Sequence, residues 1–122
     1  MVNLRTFVAG LALAGLGWSA TASAQSIGGR YEVQGHNPNG STYGGTAEII
    51  LTSDTTCRIR WETGSTSEGI CMRNGHAFAA SYRLGKSFGL VIYNLHPDGS
   101  MQGIWTIADE PGAGTETLIP YR

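Results

Sequence analysis

The chain is poor in charge, in cysteine and in long apolar runs. Charged residues make up 14% of its 122 residues, the formal net charge is −1, and there are two cysteines. So weak a charge excludes the basic field that nucleic acid or an anionic lipid surface would require. Beyond the first 24 residues no apolar run approaches the roughly 20 residues of a membrane-spanning helix. We therefore expect no nucleic-acid partner and no membrane span.

The chain also lacks the residue spacings that mark metal and catalytic sites. Its three histidines, His36, His76 and His96, stand beside turn signals, and none forms an H-x-H or H-x-x-x-H pair. No serine lies in a G-x-S-x-G elbow, and the carboxylates are scattered along the chain. The sequence predicts a protein that is not an enzyme and that needs neither a metal nor a cofactor.

The first 24 residues have the features of an export signal. Arg5 precedes an apolar stretch over residues 7–18, and Thr21-Ala22-Ser23-Ala24 then offers an A-x-A cleavage site before Gln25. We predict a cleaved signal peptide at 1–24 and a single domain at 25–122. The expected location is the periplasm or the exterior of the cell.

Glycines and other turn-forming residues are frequent in the rest of the chain, residues 25–122. Asn37-Pro38-Asn39-Gly40-Ser41 and His96-Pro97-Asp98-Gly99-Ser100 have the same pattern, and each is followed at the same distance by a glycine, Gly44 or Gly103. Proline followed by Asn-Gly or Asp-Gly is typical of tight turns, because glycine readily adopts positive φ. We interpret both segments as hairpin tips.

Short stretches of alternating apolar and polar residues separate the turns. They predict strands near 30–35, 44–51, 56–62, 67–73, 76–82, 88–95, 101–107 and 114–120. Eight consecutive strands in so short a domain favour closure, which removes exposed edges. The predicted fold is all-β: a small eight-stranded antiparallel up-and-down barrel, avidin- or lipocalin-like in outline.

The two cysteines are predicted to form a disulfide in this barrel. Cys57 and Cys71 are equally distant from Gly64, so a hairpin folded about that glycine places them opposite each other. A pair of cysteines in an exported protein is typical of a structural bridge. The alternative, a metal-binding or redox pair, lacks a C-x-x-C spacing.

Two groups of residues are candidates for binding. Bulky aromatic residues predict an interior that is mostly filled, and those that could line a ligand cavity are Tyr31, Trp61 and Trp105. The strand around Leu90, Val91, Ile92 and Tyr93 is apolar on both faces. Such a strip is either covered by a loop or exposed for contact with a protein.

The sequence resembles a family of small exported alphaproteobacterial proteins commonly labelled "fibronectin-binding protein". The segments that carry the resemblance cover most of residues 31–116: Tyr31-x-Val33-x-Gly35-x-Asn37-Pro38-Asn39-Gly40-Ser41-x-Tyr43-x-Gly45, Cys57-Arg58-Ile59-x-Trp61, Gly69-Ile70-Cys71-Met72-Arg73-Asn74, Gly89-Leu90-Val91-Ile92-Tyr93, Pro97-Asp98-Gly99-Ser100, Gly103-x-Trp105 and Gly114-Thr115-Glu116. The resemblance implies a module that binds an extracellular-matrix or other surface protein, through a free strand edge or the apolar strip.

Two alternatives remain open at the level of sequence. One is a small-molecule-binding barrel, which a cavity of ~300 Å³ or more beside Trp61 and Trp105 would favour. The other is a periplasmic enzyme inhibitor that inserts a protruding loop, either 62–68 or 108–114, into its target.

Overall fold

A computed structural model describes residues 25–122, and these residues form eight strands joined by short turns. The predicted signal peptide lies outside the described residues. The strands are β1 Gly29–His36, β2 Thr42–Leu51, β3 Thr56–Glu62, β4 Thr66–Asn74, β5 Ala77–Leu84, β6 Ser87–Leu95, β7 Met101–Ile107 and β8 Glu110–Pro120. Within 25–122 there is no helix long and apolar enough to cross a lipid bilayer.

The sheet closes into a barrel in which every strand pairs with its neighbours in sequence. β1 and β8 complete the ring, antiparallel, with Tyr31 opposite Pro120 and His36 opposite Thr115. The predicted all-β antiparallel barrel is therefore confirmed. Closure also leaves the described strands without a free edge, so residues 25–122 do not provide the exposed strand edge that was one of the two expected binding surfaces.

The two repeated segments form the same turn. In the first, Asn37 N–H donates to Ser41 O at 2.8 Å, and the Asn39 side-chain oxygen accepts from Ser41 N–H at 3.0 Å. In the second, the equivalent distances from His96 to Ser100 and from Ser100 to Asp98 are both 2.9 Å. Gly40 and Gly99 have φ values of 91° and 89°. Because β1 and β6 run in opposite directions around the barrel, the turns lie at opposite ends.

The two ends of the barrel differ. The end that carries the β2–β3, β4–β5 and β6–β7 turns is closed by residues 25–28, which precede β1. Ile27 is 2% exposed there, and its carbonyl accepts a hydrogen bond from the Tyr31 hydroxyl at 2.7 Å. Arg73 donates to Gln25 O, and Gln25 Nε2 donates to Pro97 O. We call this the closed end, and the other the open end.

The core fills the closed half of the barrel. Phe78 and Tyr93 stack with ring centroids 5.7 Å apart, and Met101 and Leu118 are fully buried. The predicted disulfide is present: Cys57 and Cys71 are directly opposed in the β3–β4 ladder, with Cα atoms 5.0 Å apart and both side chains inside.

Candidate functional site

The open end of the barrel holds a cavity of about 350 Å³. Aromatic side chains, a buried carboxylate and several hydroxyls form its walls and floor. The residues that line it are Asn37, Tyr43, Trp61, Thr63, Ser65, Ser67, Tyr82, Leu84, Val91, Trp105, Ile107, Glu110 and Glu116. The prediction of a largely filled interior therefore holds only for the closed half.

Glu116 is the one charged side chain in the buried interior that the structure describes, at 7% exposure. Its Oε1 accepts a hydrogen bond from the Tyr43 hydroxyl at 2.7 Å, and its Oε2 accepts one from Trp61 Nε1 at 3.0 Å. The Tyr93 hydroxyl also donates to Oε2. These donors come from β2, β3 and β6, so the carboxylate ties distant strands together. A buried charge needs such partners, since an isolated one is strongly disfavoured.

Glycines make room for the aromatic rings beside this carboxylate. Tyr43 lies directly opposite Gly35, Tyr93 opposite Gly103, Tyr82 opposite Gly89, and Trp105 opposite Gly114. At each of these glycines an added Cβ would approach the opposing ring to within 2.7 Å or less. Interior glycines of this kind permit close approach and bending in a sheet, with the aromatic ring covering the gap. Four rings can therefore lie against the backbone.

The rings form two edge-to-face pairs at the cavity. Tyr43 and Trp105 have centroids 6.1 Å apart, and Trp61 and Tyr82 have centroids 5.4 Å apart. Such pairs hold the rings in defined orientations. Trp105 Nε1 also donates to Thr115 O at 3.3 Å, and the Tyr82 hydroxyl donates to Thr106 O at 2.8 Å. These contacts hold the walls of the cavity in defined positions.

Burial and the nearby carboxylates raise the pKa values of the surrounding phenols. Burial, then the charge of Glu116 and then that of Glu110, raise the pKa of Tyr82 to about 12. Burial, with Glu116 second, raises the pKa of Tyr43 and that of Tyr93 well above the ordinary value. All three hydroxyls stay protonated at neutral pH; those of Tyr43 and Tyr93 donate to the Glu116 carboxylate, and that of Tyr82 donates to Thr106 O.

The cavity contains two of the three aromatic residues that the sequence indicated. Trp61 and Trp105 both line the cavity, whereas Tyr31 lies at the closed end, where its hydroxyl donates a hydrogen bond to Ile27 O. Tyr31 does not line the open-end cavity, because it is near the start of β1, on the side where the chain enters the barrel. Sequence reasoning also missed Glu116. Glu116 lies two residues before Leu118 on β8, so strand alternation places both side chains on the same, buried face, and this pattern could have identified it.

The apolar strip on β6 divides between the two faces of the wall. Leu90 and Ile92 are 64% and 54% exposed, but Val91 and Tyr93 are 4% and 1% exposed. The prediction of one contiguous strip was therefore wrong for Val91 and Tyr93, since successive strand residues point to opposite faces.

Leu90 and Ile92 instead belong to a larger apolar area on the outside of β4, β6 and β7, which we call the outer apolar face. Its large side chains, each more than half exposed, are Ile70, Met72, Phe88, Leu90, Ile92 and Ile104. Met72, Ala79, Ile92 and Ile104 are in register across four strands. The small side chains of β5 leave a shallow groove of about 800 Å³ through this face.

The two segments expected to protrude are short. Most of 62–68 belongs to β3 and β4, and β8 begins at Glu110, so that only residues 108–109 separate it from β7. Asp109 has a φ of 73°, as a residue in a tight turn requires. Neither of the loops considered for the inhibitor alternative, 62–68 and 108–114, protrudes from the barrel, because hairpin pairing includes most of both segments.

The class that these observations define is a closed eight-stranded antiparallel β-barrel with one disulfide. The chain is similar in structure to a redesigned beta barrel (TM-score 0.70, 16% identity, covering 79% of this chain and 92% of that one). It is also similar to a redesigned beta barrel bound to DFHBI (TM-score 0.69, 19% identity, 78% and 95%). A third similar structure is a de novo fluorescence-activating beta barrel (TM-score 0.65, 17% identity, 80% and 96%).

At these identities the likeness concerns the fold alone. No protein-family model matches the chain, and a search of curated proteins finds no significant match.

Proposed function

We propose that the protein is an exported, non-enzymatic binding module that takes a small molecule into the cavity at its open end. The observation that carries this proposal is a volume of about 350 Å³ bounded by Trp61, Trp105 and the buried carboxylate of Glu116. Ligand sites are mostly apolar cavities of about 300 Å³ or more with a few convergent polar groups. The volume suits a small ligand.

The arrangement of the two ends supports the same function. Residues 25–28 close one end, and the core fills the half next to them, so the cavity opens in one direction only. The aromatic pairs hold the walls in place, which reduces the entropy lost when a ligand binds. One structurally similar designed barrel was solved with DFHBI bound, in keeping with this use of the fold.

The experiment is a thermal-shift screen with a chemically diverse set of small cationic, neutral and anionic compounds. A ligand at about 100 times its Kd stabilises the folded state by about 2.7 kcal/mol. For a domain of this size that raises the Tm by roughly 10 °C or more. We expect at least one class of compound to raise the Tm.

A pair of substitutions, one that fills the cavity and one on the exposed surface beside it, provides the matched control. Ser67 lines the cavity, whereas Thr66, its neighbour on β4, is exposed. Ser67→Phe should abolish the shift caused by each active compound, and Thr66→Phe should preserve it. If no compound shifts the parent protein, or if Ser67→Phe retains the shift, the cavity is not a ligand site.

A second candidate function is favoured by the outer apolar face. Soluble monomers rarely expose so extended an apolar area unless it contacts something. We propose an extracellular-matrix or other surface protein as the partner, in line with the family label suggested by the sequence.

Binding to immobilised fibronectin tests this candidate. Leu90→Lys with Ile92→Lys places two charges in the centre of the outer apolar face and should abolish retention. Gln34→Lys with Thr42→Lys adds the same charges at exposed positions on β1 and β2 and should leave retention unchanged. Absence of retention by the parent protein, or equal loss in both variants, would contradict this second function.

A further inference from the structure

We infer that the cavity selects a small organic ammonium ion, a conclusion that rests on the proposed ligand-binding function. Three features of the open end support it: a hydrogen-bond acceptor left over on a buried carboxylate, the sign of the charge around the cavity, and aromatic rings on its walls.

The first feature is the hydrogen bonding of Glu116. Its Oε2 accepts two hydrogen bonds, from Trp61 and Tyr93, but its Oε1 accepts only one, from Tyr43. Each carboxylate oxygen can accept about two, so Oε1 retains an acceptor position at a residue that lines the cavity. A ligand that completes this set must donate a hydrogen bond, and an N–H of an ammonium ion makes the stronger, charge-assisted type.

The second feature is charge. Glu116 on the floor and Glu110 nearer the rim both line the cavity, and no lysine or arginine is among its lining residues in 25–122. Both carboxylates also act on the Tyr82 phenol, whose pKa they help to raise. In a partly desolvated cavity such a field attracts cations and repels anions.

The third feature is the composition of the walls. The Tyr43–Trp105 and Trp61–Tyr82 pairs surround the volume beside the carboxylate. A cation within about 6 Å of an aromatic centroid is attracted by the ring, most strongly by tryptophan. Carboxylate and rings therefore favour the same ligand chemistry, whereas the carboxylate alone would serve a purely structural role equally well.

Three compounds of one shape and different charge test the inference on the full chain. Phenethylamine carries an ammonium, phenylethanol an uncharged hydroxyl and phenylacetate a carboxylate. Affinity is followed through the indole N–H resonances of Trp61 and Trp105 in NMR spectra. We expect phenethylamine to bind roughly tenfold or more tightly than phenylethanol, and phenylacetate not to bind.

Variants separate the charge of the cavity from the stability of the fold. Glu110→Gln should lower the affinity for phenethylamine severalfold without a change in Tm, and Glu116→Gln should remove the preference over phenylethanol. Glu48→Gln removes one exposed outward charge from β2 and should change neither the affinity for phenethylamine nor the preference over phenylethanol.

The outcomes distinguish this inference from the function on which it rests. If phenylethanol or phenylacetate binds as tightly as phenethylamine, the selection of ammonium ions is wrong and the ligand site stands. The same conclusion follows if only uncharged or anionic compounds are active in the thermal-shift screen. If no compound of any charge binds, both the selection of ammonium ions and the proposed ligand-binding function are overturned.

Discussion

At the scale of single residues, the open end depends on a repeated pairing of an aromatic ring with a glycine on the next strand. Gly103 shows how close the fit is. A Cβ added there would lie 2.4 Å from Ile92 O and 2.7 Å from Cδ1 of Tyr93. The first of these atoms belongs to the backbone and cannot move without distorting the β6–β7 ladder. The ring of Tyr93 must also stay in place to donate to Glu116.

Gly44 and Gly103 provide a matched pair of substitutions, because they follow the two repeated turns at the same distance. Gly103→Ala should destabilise the fold by about 2 kcal/mol or more through overpacking. Gly44 is exposed, and its added Cβ would find only Val33 O at 3.4 Å, so Gly44→Ala should be nearly neutral. Urea denaturation measures both. Equal effects at the two positions would contradict the role assigned to the interior glycines.

Gly44 and Gly103 look equivalent in the sequence, but in the structure Gly44 is exposed and Gly103 lies against the ring of Tyr93. Strand residues alternate between the faces, and the pattern reveals that alternation for Leu118, Glu116 and Gly114 on β8. It does not reveal which rings meet Glu116, since Tyr43 is 73 residues away in sequence. Those contacts depend on the stagger of the strands around the closed barrel, which is a property of the whole sheet.

At the scale of elements, alternation and turn chemistry account for nearly all the strand positions. The predicted strands 56–62 and 101–107 coincide with β3 and β7, since turn residues bound them clearly. β8 begins earlier than the predicted 114, because Glu110 already pairs with Ile107 on β7. Pro111 and Gly112, which resemble a loop in sequence, lie in the register irregularity between that pair and the Trp105–Gly114 pair. Turn residues thus indicate a loop even where a closing strand includes them.

The β3–β4 hairpin carries the disulfide, and its removal is testable at this scale. Cys57 and Cys71 enclose a loop with a sequence separation of 14. Closing a loop of this length stabilises a protein by about 3 kcal/mol in the chain-entropy model. Cys57→Ser should therefore lower the Tm by roughly 10–20 °C. Reducing agent should lower the Tm of the parent protein by a similar amount and leave that of the variant unchanged; an unchanged Tm in Cys57→Ser would contradict a stabilising bridge.

At the scale of the whole molecule, closure determines which surfaces the barrel presents. A closed barrel with short turns offers no strand edge and no long loop in residues 25–122, and the two binding sites proposed above are the outer apolar face and the open end. The two sites use different chemistry. The outer apolar face is apolar and shallowly grooved, whereas the open end combines aromatic rings with a carboxylate held by Tyr43, Trp61 and Tyr93.

The closed end leaves the cavity with a single mouth. Because the segment before β1 fills the other end of the barrel, the ligand that we propose would enter and leave at the open end. The two tryptophans of the described chain, Trp61 and Trp105, both line this cavity. Their indole groups therefore report on its occupancy without an added label.

The most direct test of a ligand site at the open end is an NMR titration that follows the indole N–H signals of Trp61 and Trp105. We predict that a compound active in the thermal-shift screen moves both signals along one saturating curve. In Ser67→Phe the same compound should move neither. Saturable binding that leaves both indole signals in place, with shifts confined to the outer apolar face, would contradict the account.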